Sequence, residues 1–205
     1  QRTQLVNALR GHAAEFGHVA RLGRAGVAKL LADVAEDAEL PMPAKDALVL
    51  LGREIGRLDA RLAEVDARLV AQHKQTPTSK MLAEVPGIGP IGALSLVLRV
   101  DFSQFKSGRH FASWLGLTPR EHSTGGKTRL GGISRAGDER LRQLLVLGAT
   151  AVIRQAKPGR ASTWLIALLA RRPRKLAAVA LANKMARIVW AMMTSGEAYR
   201  QPATA

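Results

Sequence analysis

The chain has 205 residues, with 31 Lys plus Arg against 16 Asp plus Glu, and a net charge of +15 at neutral pH. So large an excess of one sign points to a polyanionic partner, and a hydrophobic content of 47% is enough for a packed core, which excludes wholesale disorder. The absence of cysteine excludes a disulfide framework, a thiolate zinc site and a cysteine nucleophile together, and suits a reducing cytoplasm. No apolar run reaches the roughly 18 residues expected of a bilayer span, so no membrane partner is expected.

The charge is unevenly spread. Residues 1–75 hold 11 Lys/Arg against 10 Asp/Glu, and residues 76–205 hold 20 against 6, nets of +1 and +14. The opening Gln1-Arg2-Thr3-Gln4 has neither an initiator Met nor the layout of a signal peptide, which raises the expectation of further sequence upstream. Leu5, Val6, Leu9 and Phe16 predict a first helix over 2–16, a Gly-containing break follows at 17–26, and Val27, Leu30, Leu31 and Val34 predict a second, short helix. From Leu48, the positions Leu51, Ile55, Leu58, Leu62, Val65 and Leu69 keep a 3-4 spacing over about three heptads. With Leu48 as an a position, the g positions are Glu54, Arg61 and Arg68 and the e positions Gly52, Asp59 and Asp66. Such a stripe packs on a neighbouring helix of its own chain or forms a coiled coil with a second copy.

After the polar break at 75–79, Val85-Pro86-Gly87-Ile88-Gly89-Pro90 between two apolar segments reads as a helix-hairpin-helix turn. Gly87 and Gly89 permit close backbone approach, and free amides at the second helix's start can take a phosphate oxygen, a contact that carries no base information; the plainer alternative is a structural tight turn. Phe102, Phe105, Phe111, Trp114 and Leu115 around a short helix near 107–115 read as core.

Residues 116–138 hold six glycines and four Lys/Arg in 23 positions, too glycine-rich for a helix interior and too basic for a core strand. Here Gly125 and Gly126 are candidates for an anion-binding nest, with Arg120, Lys127, Arg129 and Arg135 as phosphate-binding cations. Ser123 and Thr124 are candidate nucleophiles for a phosphodiester, although a hydroxyl pair in a glycine loop is also an ordinary turn or phosphate contact, and His122 is a weak candidate base. No metal-binding carboxylate set is spaced along 76–205, and Gly125-Gly126-Lys127-Thr128 lacks the upstream glycine and strand of a nucleotide-binding loop. Asp138 caps a predicted helix over 139–153, residues 162–170 form another, and the run Arg171-Arg172-Pro173-Arg174-Lys175 precedes a last helix to about Thr194, with Arg171, Arg172, Arg174 and Lys175 as a phosphate clamp or a solvated junction. The fold expected is all-α, with a helical coiled-coil arm over 1–75 and a helical domain over 76–205 holding the helix-hairpin-helix and the glycine-rich basic loop.

Taken in order, Val85 to Pro90, the loop Gly116-Leu117-Thr118-Pro119-Arg120-Glu121-His122-Ser123-Thr124-Gly125-Gly126-Lys127, the stretch Leu130 to Asp138 and Leu141 to Leu145 resemble the C-terminal domain of the insertion-sequence-110 transposases. Residues Arg2 to His12 are similar to the start of that family's helical linker. The resemblance implies oligomers that recombine DNA, guided by an RNA of the element, with a serine of the C-terminal domain as nucleophile. That serine maps to Ser123 or its neighbour Thr124, with Ser123 favoured because the family's residue is a serine. It makes 48–69 a protomer–protomer element and the location the bacterial cytoplasm, at the nucleoid. The family's other domain, of the Holliday-junction resolvase kind, binds magnesium through acidic residues. Its absence before Gln1 implies a truncated copy or fragment that holds no cofactor of its own and binds DNA or RNA without recombining alone. A non-catalytic helix-hairpin-helix binding module and a helical assembly element are the other classes that the residues allow.

Overall fold

The computed structural model describes residues 1–127 and 129–201. Helices dominate: α1 (Arg2–Glu15), α2 (Arg24–Glu36), α3 (Met42–Gln75), α4 (Pro77–Ala83), α5 (Pro90–Arg99), α6 (Gly108–Trp114), α7 (Glu139–Gln155), α8 (Thr163–Arg171) and α9 (Arg174–Ser195). Two short strands, β1 (Pro119–Glu121) and β2 (Leu130–Ile133), form an antiparallel pair between α6 and α7. The chain divides into two compact units, Gln1–Arg68 and Leu69–Ala205. The division falls inside α3, which runs unbroken to Gln75, whereas the sequence suggested a boundary at the polar break after it.

In the first unit Leu9, Ala13, Val27, Leu30, Val34, Leu40, Leu48 and Ile55 form the core. The heptad stripe of α3 is therefore split. Leu48 and Ile55 are buried in this unit, while Leu62 and Val65 are 48% and 52% exposed. The charges at its flanks are engaged locally: Asp59 takes hydrogen bonds from Arg2, Glu54 pairs with Arg57, and Glu64 pairs with Arg68. Three of the side chains that the spacing assigns to a partner helix, Glu54, Asp59 and Arg68, thus already have intramolecular partners.

In the second unit α9 lies at the centre, against α7, α6 and α8. Its buried residues Ala177, Ala178, Ala182, Met185, Ala186, Val189 and Met192 recur on one helical face, and the small ones let neighbouring backbones come close. The sequence expectation about apolar length needs a correction, because an 18-residue window of α9 has a mean hydropathy of 1.3, apolar and long enough by composition to cross a membrane. In the structure that apolarity serves the core of the domain. Phe102, Phe105 and Phe111 pack edge-on or tilted, with centroids 5.0 and 5.2 Å apart, and Trp190 donates from Nε1 to the carbonyl of Phe105, which ties the 3-10 turn Phe102–Gln104 and α6 to α9.

The turn between α4 and α5 rests directly on α7. Gly87 has φ +92, and a Cβ placed on Gly148 of α7 would lie 1.8 Å from the Gly87 carbonyl oxygen. Two glycines are needed there because two backbones touch. Gly148→Ala should therefore cost about 3 kcal/mol in urea denaturation, whereas Gly89→Ala, at φ −82 with open space around the site, should stay within about 1 kcal/mol.

Candidate nucleic-acid interface

The glycine-rich segment, expected as a loop outside regular structure, is an exposed β-hairpin. Solvent on both faces removes the objection that so basic a segment cannot be a strand, since these strands join no core. Pro119 pairs with Ile133 and Glu121 with Leu130, so β2 carries one residue more than β1 between the pairs, a bulge accommodated at Gly131-Gly132. The strands continue toward the tip through the His122 amide, which donates to the Arg129 carbonyl at 2.8 Å, and the Lys127 amide, which donates to Thr124 at 3.1 Å. Gly125 and Gly126, at φ 57 and 75, form the two-residue tip. Positive φ at both positions is what a tight hairpin turn of matching twist demands, so the glycine pair serves the turn rather than the αR–αL alternation of an anion nest.

Ser123 and Thr124 lie at this exposed tip, where the Ser123 Oγ accepts a hydrogen bond from the Arg129 amide at 3.2 Å. The His122 ring lies across from Gly131, and among the described residues it makes no hydrogen bond to either hydroxyl. Thr128 lies outside the described residues. Arg120 turns back to donate to the Ser134 carbonyl at 3.2 Å, while Lys127 and Arg129 are exposed.

The root of the hairpin is fixed by a buried charge. Arg142 of α7, 8% exposed, donates from Nη1 to the carbonyls of Leu115 at 3.1 Å and Ala136 at 2.8 Å, the two chain segments that enter and leave the hairpin. Asn183 of α9 donates to the Leu117 carbonyl at 3.2 Å. Asp138 caps α7 by accepting from the Leu141 amide and pairs with Arg99 at 2.7 Å. Burial pushes its carboxyl up, but the Leu141 amide and the Arg99 guanidinium outweigh that and hold its pKa below the usual carboxylate value. Between these anchors Arg135 adopts φ +56, the one non-glycine residue at positive φ among the described residues, with its amide donating to the Gly116 carbonyl at 3.2 Å.

The anchored hairpin, the start of α6 and one face of α9 enclose a groove of about 1380 Å³. Among the described residues, Arg109, Arg135, Lys175, Lys184 and Arg187 line it, and no carboxylate does. In a concave surface with no counter-charge these five cations sum to a field that favours a polyanion. Of the cations expected from the sequence, Arg135 and Lys175 reach the groove. Arg171 and Arg172 end α8 and Arg174 opens α9, all exposed and outside the groove's lining. Gly87 and Gly89 stand apart from it as well, beside an apolar hollow of about 250 Å³ lined by Leu96, Leu141, Leu144, Leu145 and Leu147. The amides of Ile91 and Gly92, in the first turn of α5, have no carbonyl within the helix to reach.

Arg109, Lys184 and Arg187 escaped the sequence reading. For the α9 residues a signal existed, since Lys175, Val179, Asn183, Lys184 and Arg187 fall on one helical face. Arg109 had none, because α6 reaches α9 only by tertiary packing, with Gly108 against the Arg187 backbone. Among the described residues no three His, Asp or Glu side chains group as a metal's ligands can.

The sequence profile of the transposase IS116/IS110/IS902 family matches residues 79–164, from α4 through the hairpin to the start of α8. Residues 79–164 belong to that transposase family. The chain is 53% identical over 204 residues to a Sinorhizobium fredii protein named as a transposase, y4pF/y4sB, a match that covers 98% of this chain and 53% of the relative. It is 46% identical to a family 20 transposase of Pseudomonas aeruginosa, over 97% of this chain and 61% of the relative, and 38% identical to the transposase for insertion sequence element IS1111A of Coxiella burnetii, over 97% and 56%. The chain thus spans between 53 and 61% of the length of these relatives.

The anchors of the transposase-family domain make opposite predictions for two arginines. Arg142→Met strands two backbone carbonyls and should lower stability by about 2 kcal/mol. Arg135→Gly relieves a left-handed residue and should raise it by about 0.5 kcal/mol, both read as shifts of the urea midpoint.

Proposed function

We propose that the chain is the nucleic-acid-binding portion of an insertion-sequence transposase, with the groove between the hairpin and α9 as the track for a DNA backbone. The observation that carries the reading is a groove with five cations and no carboxylate among the described residues, in a domain of a family whose relatives are named transposases. Arg109, Arg135, Lys175, Lys184 and Arg187 neutralise successive phosphates. Arg171, Arg172, Arg174, Lys127 and Arg129 extend the basic surface, and the α5 start at Gly89 offers a further phosphate contact. The hairpin tip presents Ser123 to a phosphodiester: the serine oxygen bonds to phosphorus, and one sugar oxygen leaves as a hydroxyl, taking up the equivalent of the proton that the serine loses. The link so formed keeps the bond energy for rejoining the strand. The exposed part of the α3 stripe, Leu62 and Val65, pairs with a second copy, and the guide RNA of the element shares the basic surface.

One observation favours a second reading, that of a binding module without chemistry. The Ser123 Oγ already accepts from the Arg129 amide and, among the described residues, has no base within hydrogen-bonding distance, as suits a residue that closes a turn.

Two measurements test these readings, the first the groove that both share and the second the chemistry that separates them. Alanine at Arg135, Lys175 or Arg187 should weaken binding about equally for unrelated DNA sequences, and each should reduce the slope of log K against log salt by about 1. An unchanged slope in all three would remove the groove from the interface. In a chimera that carries this chain in place of the matching segment of the Sinorhizobium fredii relative, Ser123→Ala should abolish strand transfer and leave binding intact, while Thr124→Ala should retain activity. Strand transfer that survives Ser123→Ala would favour the binding module.

A further inference from the structure

A second cavity, of about 510 Å³, lies between α8, α9 and the segment after α9, and it shares Trp164 and Lys184 with the cationic groove. The Lys184 ammonium lies 4.3 Å from the Trp164 ring centroid, so one cation and one aromatic ring form a wall common to both spaces. The two spaces differ in chemistry. The groove gathers five cations with no carboxylate among the described residues, whereas the cavity sets Arg160 and Lys184 against an apolar floor with Leu165, Met185 and Ile188, and Tyr199 as a second ring. Polar groups lie in two places, before α8 with Arg160 and Ser162, and after α9, where Glu197 and Arg200 pair at 3.2 Å and so largely cancel each other.

A flat aromatic ring with polar edges suits such a cavity better than a second phosphate, because the two rings and the apolar floor match the face of a base, while Arg160, Lys184 and the Glu197–Arg200 pair can meet its polar edge. We propose that this cavity holds a single unpaired nucleobase of the strand whose phosphates follow the groove, with the base against Trp164 and Tyr199 and Lys184 between the base and its backbone. The proposal rests on the nucleic-acid reading given above and adds to it a site that reads the base rather than the phosphate. The juxtaposition explains why a charged groove has an aromatic wall, since stacking and phosphate neutralisation together hold single strands without demanding a sequence.

The contributions of base and backbone can be measured apart. The full chain is titrated with a short single-stranded oligonucleotide and with an abasic oligonucleotide of the same length and charge, in DNA and RNA forms run in parallel. Trp164→Ala should weaken binding of the base-bearing strand by roughly five- to a hundredfold, with the salt slope unchanged. The abasic strand should bind more weakly and be indifferent to the substitution. Ala198→Trp, which fills the cavity without removing Trp164, should reproduce the loss and guards against a folding defect.

A base-dependent effect of both substitutions in either nucleic acid supports the proposal, and the form that shows it identifies the strand. Equal affinity for base-bearing and abasic strands, or an equal loss for both in the two variants, overturns the base pocket while leaving the groove intact. An absence of salt-dependent binding for every strand overturns the nucleic-acid reading itself.

Discussion

Arg142 is a charged side chain that the second unit buries, and its guanidinium holds together two segments 21 residues apart, at Leu115 and Ala136. Burying a cation is costly, and the compensation here is hydrogen bonding to two carbonyls that would otherwise face the protein interior unpaired. A two-stranded hairpin has little stability of its own in water. By fixing both ends of the hairpin on α7, Arg142 turns a marginal element into a wall with a defined position, and the groove against α9 exists only because that wall stands. Gly87 and Gly148 act in the same way on the other side of α7, where direct backbone contact sets the position of the α4–α5 turn.

The electrostatics follow from that scaffold. The net charge of the chain lies almost wholly after residue 75, yet excess charge by itself selects no surface. The geometry sorts it. Arg120 closes onto the Ser134 carbonyl, Arg99 onto Asp138 and Arg142 onto the hairpin root, so these cations serve the fold. Arg135, Lys175, Lys184 and Arg187 converge with Arg109 on one concavity that has no carboxylate among the described residues. Arg135 shows the tension most directly, since a left-handed arginine is less stable there than a glycine would be, and it places its side chain on the groove.

The mainly helical architecture was legible in the sequence because each helix announces itself locally. Asp138 and Ser162 cap α7 and α8 through side-chain hydrogen bonds, Pro90 opens α5, and the apolar faces recur at helical spacing. The family of residues 79–164 was legible too, from motifs in a fixed order. The hairpin was not, since glycine and charge argue against a strand only when the strand is buried, and exposure cannot be read from a short basic segment. The groove was half legible: Arg135 and Lys175 stand in conspicuous basic stretches, whereas Arg109 reaches Lys175, 66 positions further along the chain, only through the packing of α6 on α9. The α3 stripe shows the reverse case, where a regular heptad pattern is divided between burial within one unit at Leu48 and Ile55 and exposure at Leu62 and Val65.

Amide hydrogen exchange of the full chain, with and without a saturating single-stranded oligonucleotide, tests most directly where a nucleic-acid strand lies. Slowed exchange at 107–109, 131–135 and 175–187 together is the predicted result, because those segments wall the groove. Slowing confined to 87–92 at the α4–α5 turn, with the hairpin and α9 unchanged, would contradict it.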